Sequence, residues 1–219
     1  KYGGNIFLDR SIFISFIQDL SILNKLGIKI CVIHGGGPRI QKELEKSNIQ
    51  SKFIRGLRVT DEKIIDIVEN VLIDFNNDIV SSLEKMGTKA VGIHTKKNNI
   101  IEVLRDAPEL GFVGTPNKIN NEIILNIIKD GKIPIISPLG LQENQAFNIN
   151  GDVAAGKIAQ SLKCRRLLLM TNVEGVLDQN KKLIEEISSS EILEMVKNET
   201  ITGGMIPKIN MGLECINNG

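Results

Sequence analysis

The sequence is poor in residues that mark several common kinds of functional site. Its 219 residues include no Trp, one Tyr and seven Phe, and the formal net charge is only +1. Nucleic-acid interfaces combine basic patches with stacking aromatic side chains, so this composition argues against a nucleic-acid partner. No apolar run approaches ~18 residues, and we therefore predict no segment that spans a membrane.

Cysteine and histidine are also scarce. The three cysteines, Cys31, Cys164 and Cys215, lie far apart without a Cys-x-x-Cys pair, and the two histidines are His34 and His94. Soft zinc ligands are too few for a metal cluster, so we predict no protein metal site. An odd number of widely spaced cysteines suits a reducing compartment. Cys31 lies inside an apolar run and Cys164 just ahead of one, so we expect these two to be buried structural thiols.

Signatures of nucleophilic catalysis are missing as well. The sequence has no Gly-x-Ser-x-Gly elbow, no plausible Cys/His pair and no protein-kinase signature. What recurs is a lysine or a small polar residue beside glycines: Lys1 with Gly3-Gly4, then Gly35–Gly37, 148–152, and Gly203-Gly204 with Lys208. This grouping suits a protein that holds anions and neutralises charge, as in phosphoryl transfer.

Short apolar segments alternate with helical patterns along the whole chain. Apolar runs predict strands over 28–33, 53–59, 90–94, 100–104, 133–136, 147–150 and 167–171. Helical spacing predicts helices over 11–26, 39–46, 61–86, 121–130, 152–162, 190–197 and 205–216. The alternation favours an α/β fold with a parallel sheet, either as one large domain or as two small lobes.

Three local predictions concern the ends and the order of these elements. Thr60 is placed to cap the long helix that follows it. Pro134 suggests the start of a strand rather than a central position. Residues 89–120 are short, β-like and punctuated by glycine, which predicts small hairpins that form a lid over a ligand.

The segment Gly35-Gly36-Gly37-Pro38 lies between a predicted strand and a predicted helix. Successive glycines leave backbone N–H groups uncovered, and a proline presets the first helical turn, so the junction offers donors and a positive helix end to a phosphate or a carboxylate. The spacing matches neither a Walker loop nor the dinucleotide-binding fingerprint. From these residues alone, an anion site and a merely tight connection are equally good interpretations.

Seven motifs, taken in chain order, resemble the amino acid kinase family. Their combination is similar to the branch whose members phosphorylate the side-chain carboxylate of N-acetyl-L-glutamate, and the match extends from Lys1 to about Met211. The resemblance implies a three-layer αβα sandwich around a mostly parallel central sheet. Residues 1–150 would form an amino-terminal lobe for the acyl acceptor, and residues 151–219 a carboxyl-terminal lobe for the nucleotide. The motifs are Lys1-Tyr2-Gly3-Gly4, His34-Gly35-Gly36-Gly37-Pro38, Gly56-Leu57-Arg58-Val59-Thr60, Gly111-Phe112-Val113-Gly114, Asn148-Ile149-Asn150-Gly151-Asp152 with Ala154-Ala155, Thr171-Asn172-Val173-Glu174-Gly175-Val176-Leu177 and Gly203-Gly204-Met205-Ile206-Pro207-Lys208.

The resemblance also implies roles for individual residues. Lys1 and Lys208 match two lysines that stabilise the transition state, and Asp152 matches the aspartate that positions them. Arg58 and Asn148 match contacts to the acetylated substrate. Backbone donors near the substrate and the transferred phosphoryl group would come from Gly36 and Gly37, and nucleotide contacts from Gly3, Gly4, Thr171, Asn172, Thr202 and Gly204.

The implied reaction uses ATP, with Mg²⁺ bound to the nucleotide, in the second step of arginine synthesis through acetylated intermediates. The acceptor carboxylate, with a pKa of ~4.3, is ionised at neutral pH, so no general base is expected. The resemblance further implies a homo-oligomer of at least two subunits, a nitrogen-signalling regulatory protein as a partner, and a location in the cytoplasm or, for a plastid-encoded chain, the stroma. A start at Lys1 without methionine and an end at Gly219 just after a helical pattern suggest truncation at both ends.

Two departures from the family pattern and several alternatives accompany this interpretation. Asn172 replaces a usual aspartate on the nucleotide side, and Gly151 stands where alanine is more common. Taken singly, Asp152 could be a helix N-cap, Asn148 a turn residue, and Arg58, Lys1 and Lys208 solvated charges. Rival functions are another family member, such as a glutamate 5-kinase, and a catalytically silent regulatory subunit that binds an amino acid.

Overall fold

The computed structural model describes residues 1–3, 9–171, 174–201 and 205–217. Within these ranges the helices are α1 (Arg10–Lys25), α2 (Gly37–Lys46), α3 (Glu62–Lys85), α4 (Asn121–Lys129), α5 (Gly151–Ser161), α6 (Ser189–Lys197) and α7 (Met205–Asn217). The strands are β1 (Val32–Ile33), β2 (Phe53–Ile54), β3 (Leu57–Arg58), β4 (Ala90–Ile93), β5 (Ile101–Arg105), β6 (Gly114–Ile119), β7 (Ile133–Ile136), β8 (Leu139–Gln142) and β9 (Gln145–Asn148).

A parallel sheet lies at the centre of the molecule. Its strands are ordered β1-β7-β4, and both pairs are parallel. Tyr2 extends the same layer through parallel bridges to His34 on one side and Met170 on the other. The first residues of the chain therefore lie beside the carboxyl end of β1, where the glycine segment begins.

Helices cover both faces of this sheet. Successive side chains on a strand point to opposite faces, and all of the strand residues that follow are apolar and buried. On one face, Val32, Ile133 and Ile135 pack with residues of α1 and α3. On the other, Ile33, Ile93 and Ile136 pack with residues of α4 and α5. The predicted α/β fold, a three-layer sandwich around a parallel sheet, is confirmed.

A second, four-stranded sheet runs in the order β6-β5-β8-β9. Its pairs are antiparallel except for β5–β8. The separate hairpin β2–β3 turns through Arg55 and Gly56, whose φ angles are 51° and 78°. Two consecutive positive φ angles suit a two-residue hairpin loop, and Gly adopts them without strain. This turn directs Arg58 back toward α2.

The long amphipathic helix is α3, but its cap differs from the prediction. Asp61, not Thr60, is the N-cap, and its carboxylate accepts hydrogen bonds from the N–H groups of Lys63 and Ile64 at 3.0 Å each. Thr60 is fully buried, and its hydroxyl donates to the carbonyl of Arg58 at 2.9 Å. Asp61 caps the helix instead, because its side chain is free to fold back over the first turn.

Three strand predictions also differ from the structure. Of the strand predicted over 28–33, only the two residues of β1 pair with a neighbouring strand. Of the strand predicted over 167–171, only Met170 forms a β-bridge. Pro134 is the second residue of the central strand β7, between neighbours on both sides. Proline is tolerated here because no hydrogen bond of the sheet is lost. Ile133 donates its N–H to Lys89, on the side of β4, so an N–H at position 134 would point to the other side, toward β1. The pairing of β7 with β1 begins only at Ile135, so that side has no partner for residue 134.

None of the helices in the described part of the chain is long and apolar enough to cross a membrane.

Candidate active site

One cleft of about 590 Å³ collects the predicted site residues that the structure describes. Nine of these predicted residues, from distant parts of the chain, are among those that line it: Lys1, Gly3, Gly36, Gly37, Arg58, Asn148, Asp152, Thr171 and Lys208. The predictions for Gly4, Asn172, Thr202 and Gly204 fall outside the described residues. Every predicted site residue that can be located therefore lies at the same cleft.

The centre of the cleft is an ion-paired triad. The carboxylate of Asp152 lies 2.9 Å from Lys1 Nζ through Oδ1 and 2.7 Å from Lys208 Nζ through Oδ2. The side chain of Lys1 is 9% exposed, that of Asp152 10% and that of Lys208 22%. A buried carboxylate that receives one ammonium group on each oxygen holds both in fixed positions.

Electrostatics keep Asp152 ionised. Burial acts to raise the pKa of its carboxyl group, but the nearby charge of Lys1 and the hydrogen bond from Lys208 outweigh burial, and the pKa lies below the ordinary value of 3.8. The triad thus pairs one carboxylate with two basic side chains, and its formal net charge is positive.

Local structure explains why Asp152 is available for this role. Asn150 is the N-cap of α5, and its side-chain oxygen accepts from the N–H groups of Asp152 and Val153 at 2.9 and 3.2 Å. The alternative in which Asp152 itself caps the helix is therefore wrong. Because Asn150 accepts the hydrogen bonds of the first N–H groups of the helix, the Asp152 carboxylate is available to the two lysines.

Helix α7 brings Lys208 to the triad by packing closely against α5. Gly156 makes this approach possible, because a Cβ atom at that position would collide with the side chain of Met211. An ion pair between Lys157 and Glu214, at 3.0 Å, joins the same two helices at the surface.

The glycine segment lies at the amino-terminal end of α2. Gly35 N–H is occupied, because it donates to the carbonyl of Tyr2 at 2.9 Å. Gly36, the N-cap, and Gly37, the first helical residue, have no acceptor for their N–H groups among the described residues. Two of the three glycines, rather than all three, thus offer free donors at a positive helix end.

Arg58 reaches the cleft from the hairpin β2–β3. Its Nη1 donates to Gln41 Oε1 at 3.1 Å and to the Ser51 hydroxyl, and its Nη2 lies 3.4 Å from the Gly37 carbonyl. The guanidinium carbon lies 4.7 Å from the centre of the Phe53 ring. These contacts hold Arg58 beside the glycine segment, so it is not simply a solvated surface charge.

Asn148 lies at the end of β9 on the same wall of the cleft. Its Nδ2 donates to the Thr60 hydroxyl at 3.2 Å, and its backbone N–H donates to the Phe112 carbonyl at 2.9 Å. The buried Thr60 thus fixes Asn148, which is a strand residue and not a turn residue.

Gly3 and Thr171 lie where Tyr2 and Met170 are bridged. Gly3 N–H donates to the Met170 carbonyl at 3.0 Å, and a Cβ atom on Gly3 would lie only 2.8 Å from that carbonyl oxygen. A glycine is therefore needed for the chain to pass this close to Met170.

A buried polar group beneath the glycine segment was not among the predicted site residues. The side chains of His34, Asn76 and Ser137 contact one another and have 0%, 0% and 1% exposure. The sequence signal was present, because His34 directly precedes the glycines and Asn76 interrupts the apolar stripe of α3.

Among the described residues that line the cleft, only Asp152 carries a carboxylate. Across the described ranges, no group of three or more His, Cys, Asp or Glu side chains could hold a metal ion. Both oxygens of Asp152 already contact lysines. These residues fit a cation whose ligands come mainly from a bound phosphate compound and water.

Comparison with known proteins shows which family this chain resembles. A model of the amino acid kinase family matches residues 1–219. A protein of Pelagibacter ubique (strain HTCC1062) named acetylglutamate kinase is 51% identical over 220 residues, which cover all of this chain and 76% of that protein.

Two solved structures share the fold. The structure of smu.665 from Streptococcus mutans UA159 superimposes with a TM-score of 0.89 at 30% identity and covers 100% of this chain and 89% of that one. Carbamate kinase from Giardia lamblia bound to AMP-PNP gives a TM-score of 0.71 at 17% identity, covering 99% and 87% of the two chains. At that identity the second likeness concerns the fold alone.

Proposed function

We propose that this chain, which belongs to the amino acid kinase family, transfers the γ-phosphoryl group of ATP to the side-chain carboxylate of N-acetyl-L-glutamate. The product would be N-acetylglutamyl 5-phosphate, an intermediate of arginine biosynthesis. The observation that carries this proposal is the triad in which Asp152 holds Lys1 and Lys208 in the cleft that also contains the glycine segment and Arg58. The 51% identical relative named acetylglutamate kinase supports the choice of acceptor.

The chemistry requires charge stabilisation rather than proton removal. A glutamate side chain has a pKa of ~4.3, so the attacking carboxylate is already ionised at neutral pH. Its approach to an anionic phosphoryl group brings like charges together, which costs ~1 kcal/mol at ~4 Å in water and several times more in a partly dry site. A cleft that carries fixed positive charge lowers this barrier most.

The triad supplies that positive charge. Lys1 and Lys208 carry two positive charges against the single negative charge of Asp152. The carboxylate reduces the repulsion between the two ammonium groups and fixes their separation. In the reaction, these ammonium groups would contact the non-bridging and leaving oxygens of the phosphoryl group, where negative charge accumulates.

The glycine segment would hold anionic oxygens on the opposite side of the reacting bond. The Gly36 and Gly37 N–H groups are free among the described residues, and they lie at the positive end of α2. Of the two interpretations that the sequence left open for this segment, the anion site is the one that we adopt.

Arg58 and Asn148 would bind the acyl acceptor. Arg58 uses Nη1 for Gln41 and Ser51, and its remaining guanidinium donors are suited to a carboxylate that accepts two parallel hydrogen bonds. Asn148 donates to the Thr60 hydroxyl through Nδ2, and this hydrogen bond orients the Asn148 amide group. Its Oδ1 would then accept from the acetamido N–H of the substrate.

The nucleotide would bind on the side of the triad that α5 and α7 form. Residues 151–219 would make up the nucleotide lobe and residues 1–150 the acceptor lobe. Gly3 and Thr171 line the cleft, and Gly4, Asn172, Thr202 and Gly204 complete the proposed nucleotide contacts. Mg²⁺ would enter with the nucleotide, liganded by its phosphate oxygens and by water, and would neutralise part of the phosphate charge.

We also propose a homo-oligomer of at least two subunits that functions in the cytoplasm or plastid stroma, with a nitrogen-signalling regulatory protein as a partner. Helix α1 supports the oligomer, because its side chains Ile12, Ile14 and Ile22 are 47%, 42% and 55% exposed. Sedimentation equilibrium of the purified chain tests this proposal, and a monomer at micromolar concentration would contradict it.

The acceptor assay tests the function directly. The protein, ATP and Mg²⁺ are incubated separately with N-acetyl-L-glutamate and L-glutamate, and the acyl phosphate is trapped with hydroxylamine while ADP is measured. We expect equal amounts of hydroxamate and ADP with the acetylated acceptor only. Preference for free glutamate would identify a glutamate 5-kinase. Binding of the acceptor without any product would identify a silent regulatory subunit.

A further inference from the structure

A buried hydrogen-bond network lies directly beneath the glycine segment. His34 Nδ1 lies 3.1 Å from the carbonyl oxygen of Gly35. On the other side of the ring, His34 Nε2 lies 3.2 Å from Asn76 Nδ2 and 3.1 Å from the Ser137 hydroxyl. The network is buried, and its further partners are backbone carbonyls. The Ser137 hydroxyl, for example, also lies 3.4 Å from the Leu72 carbonyl, to which it can donate.

The partners assign the hydrogens of the imidazole ring. Asn76 Nδ2 also lies 2.8 Å from the Ile135 carbonyl, which can only accept, so this atom of Asn76 is the amide nitrogen. Since that nitrogen can only donate, His34 Nε2 must accept and carries no hydrogen. The single hydrogen of the neutral ring is then on Nδ1, where the carbonyl of Gly35 accepts it.

This hydrogen bond fixes the direction of the next peptide N–H. The peptide between Gly35 and Gly36 is planar and trans, so its carbonyl and its N–H point in opposite directions. The Gly35 carbonyl points down to His34, and the Gly36 N–H therefore points away from the buried network, on the side of the cleft. Gly35 N–H is itself fixed by the Tyr2 carbonyl, so both peptide planes at Gly35 are constrained.

We infer that His34 is a positioning residue for phosphoryl transfer: its Nδ1–H, held in this tautomer by Asn76, orients the Gly36 N–H toward the oxygens of the transferred group. This inference rests on the function proposed above. His34 touches neither substrate, and it acts through the Gly35–Gly36 peptide. Without the hydrogen bond, two flexible glycines would let this peptide rotate, and the donor would be misaligned in the transition state.

Two substitutions separate orientation from packing. In His34→Asn, the side-chain nitrogen on Cγ occupies nearly the place of Nδ1 and can still donate to Gly35, although a cavity forms and Asn76 loses its acceptor. In His34→Gln, the amide lies near the place of Nε2, so that Asn76 keeps a partner but the donor to Gly35 is lost. We expect His34→Gln to lower kcat on the order of tenfold or more, as part of the effect of losing an oxyanion donor, with little change in KM.

We therefore expect the two variants to rank in opposite order by kcat and by Tm. His34→Asn should have the lower Tm but a kcat within about threefold of the unsubstituted chain, and His34→Gln should have the higher Tm but the lower kcat. A normal kcat for His34→Gln, or equal losses of kcat in both variants, would overturn the inference.

A measurement on the unsubstituted chain does not depend on activity. Long-range ¹H–¹⁵N correlation spectra of the His34 ring at pH 7 should show a protonated Nδ1 and an unprotonated Nε2. The opposite tautomer would overturn the inference even if the kinase activity is found. Conversely, absence of activity together with the expected tautomer would contradict the proposed function and leave the hydrogen bond to Gly35 in place.

Discussion

Lys208 Nζ lies 2.7 Å from Asp152 Oδ2, although the two residues are 56 positions apart in the chain. Asp152 is in the first turn of α5 and Lys208 in the first turn of α7, and the two helices pack closely at Gly156. Lys1, from the other end of the chain, joins the same carboxylate. The fold therefore assembles the positive charge of the cleft from both ends of the chain around one acidic side chain.

Replacement of Lys208 should affect catalysis more than binding. We expect Lys208→Ala to lower kcat by about 10²–10³-fold, with a modest change in KM, because the ammonium group acts on charge that develops in the transition state. Steady-state kinetics with ATP and N-acetyl-L-glutamate measure both constants. Lys157→Ala is the matched control, since Lys157 joins the same two helices through Glu214 at the surface and should keep kcat within about twofold. A near-normal kcat for Lys208→Ala would remove this lysine from the mechanism.

Replacement of Arg58 should instead weaken binding of the acceptor. Arg58→Ala removes the planar donor group beside the glycine segment, and we expect KM for N-acetyl-L-glutamate to rise about 10–100-fold, the value of a charged hydrogen bond, while KM for ATP changes little. Arg55→Ala provides the comparison within the same hairpin, because the Arg55 side chain is 75% exposed and pairs with Glu109 at the surface. If both substitutions raise KM equally, or neither does, Arg58 does not bind the substrate carboxylate.

Burial of His34 should make stability depend on pH. Burial lowers the pKa of His34 from 6.5 to about 4, so the unfolded chain takes up a proton between pH 6.5 and 4 while the folded chain does not. The free energy of unfolding should therefore decrease as the pH falls through this window, by up to about 1.4 kcal/mol for each pH unit. Between pH 7 and pH 4 the decrease should be about 3 kcal/mol. Urea denaturation at pH 7 and pH 4 measures the decrease.

His34→Asn is the control for this pH dependence. The variant cannot take up the proton, so its decrease between pH 7 and pH 4 should be smaller by the same amount, whatever its stability at pH 7. His94, whose pKa is also lowered by burial, is present in both proteins and does not affect the comparison. An equal decrease in both proteins would show that His34 does not titrate abnormally.

The site residues could be predicted because they lie at junctions with recognisable local chemistry. Gly36 and Gly37 follow a buried strand and begin a helix, and Asp152 follows an asparagine cap at the start of another helix. In a sheet with parallel strands, such junctions gather at the carboxyl ends of the strands. The resemblance predicted that Asp152 positions Lys1 and Lys208, but the residue patterns alone could not, because that contact depends on how α5 and α7 pack.

Other features required tertiary information. Thr60 and Asp61 are both good caps, and only the burial of Thr60 against Asn148 decides between them. The apolar run at 167–171 has the pattern of a strand, yet its pairing reduces to the bridge between Met170 and Tyr2. Helical spacing predicts α3, but it does not identify the partners of a polar residue such as Asn76, so the network beneath the glycine segment could not be predicted.

The most direct test of the triad is a double-mutant cycle on kcat with Asp152→Asn and Lys208→Ala. If Asp152 acts by holding the lysines, each single substitution disables the same unit, and the double variant should be about as slow as the slower single variant. Circular dichroism of all three variants checks that the fold is kept. Losses of kcat that multiply in the double variant would mean that the two residues act independently, which would contradict the role of Asp152 as the residue that holds Lys208 for catalysis.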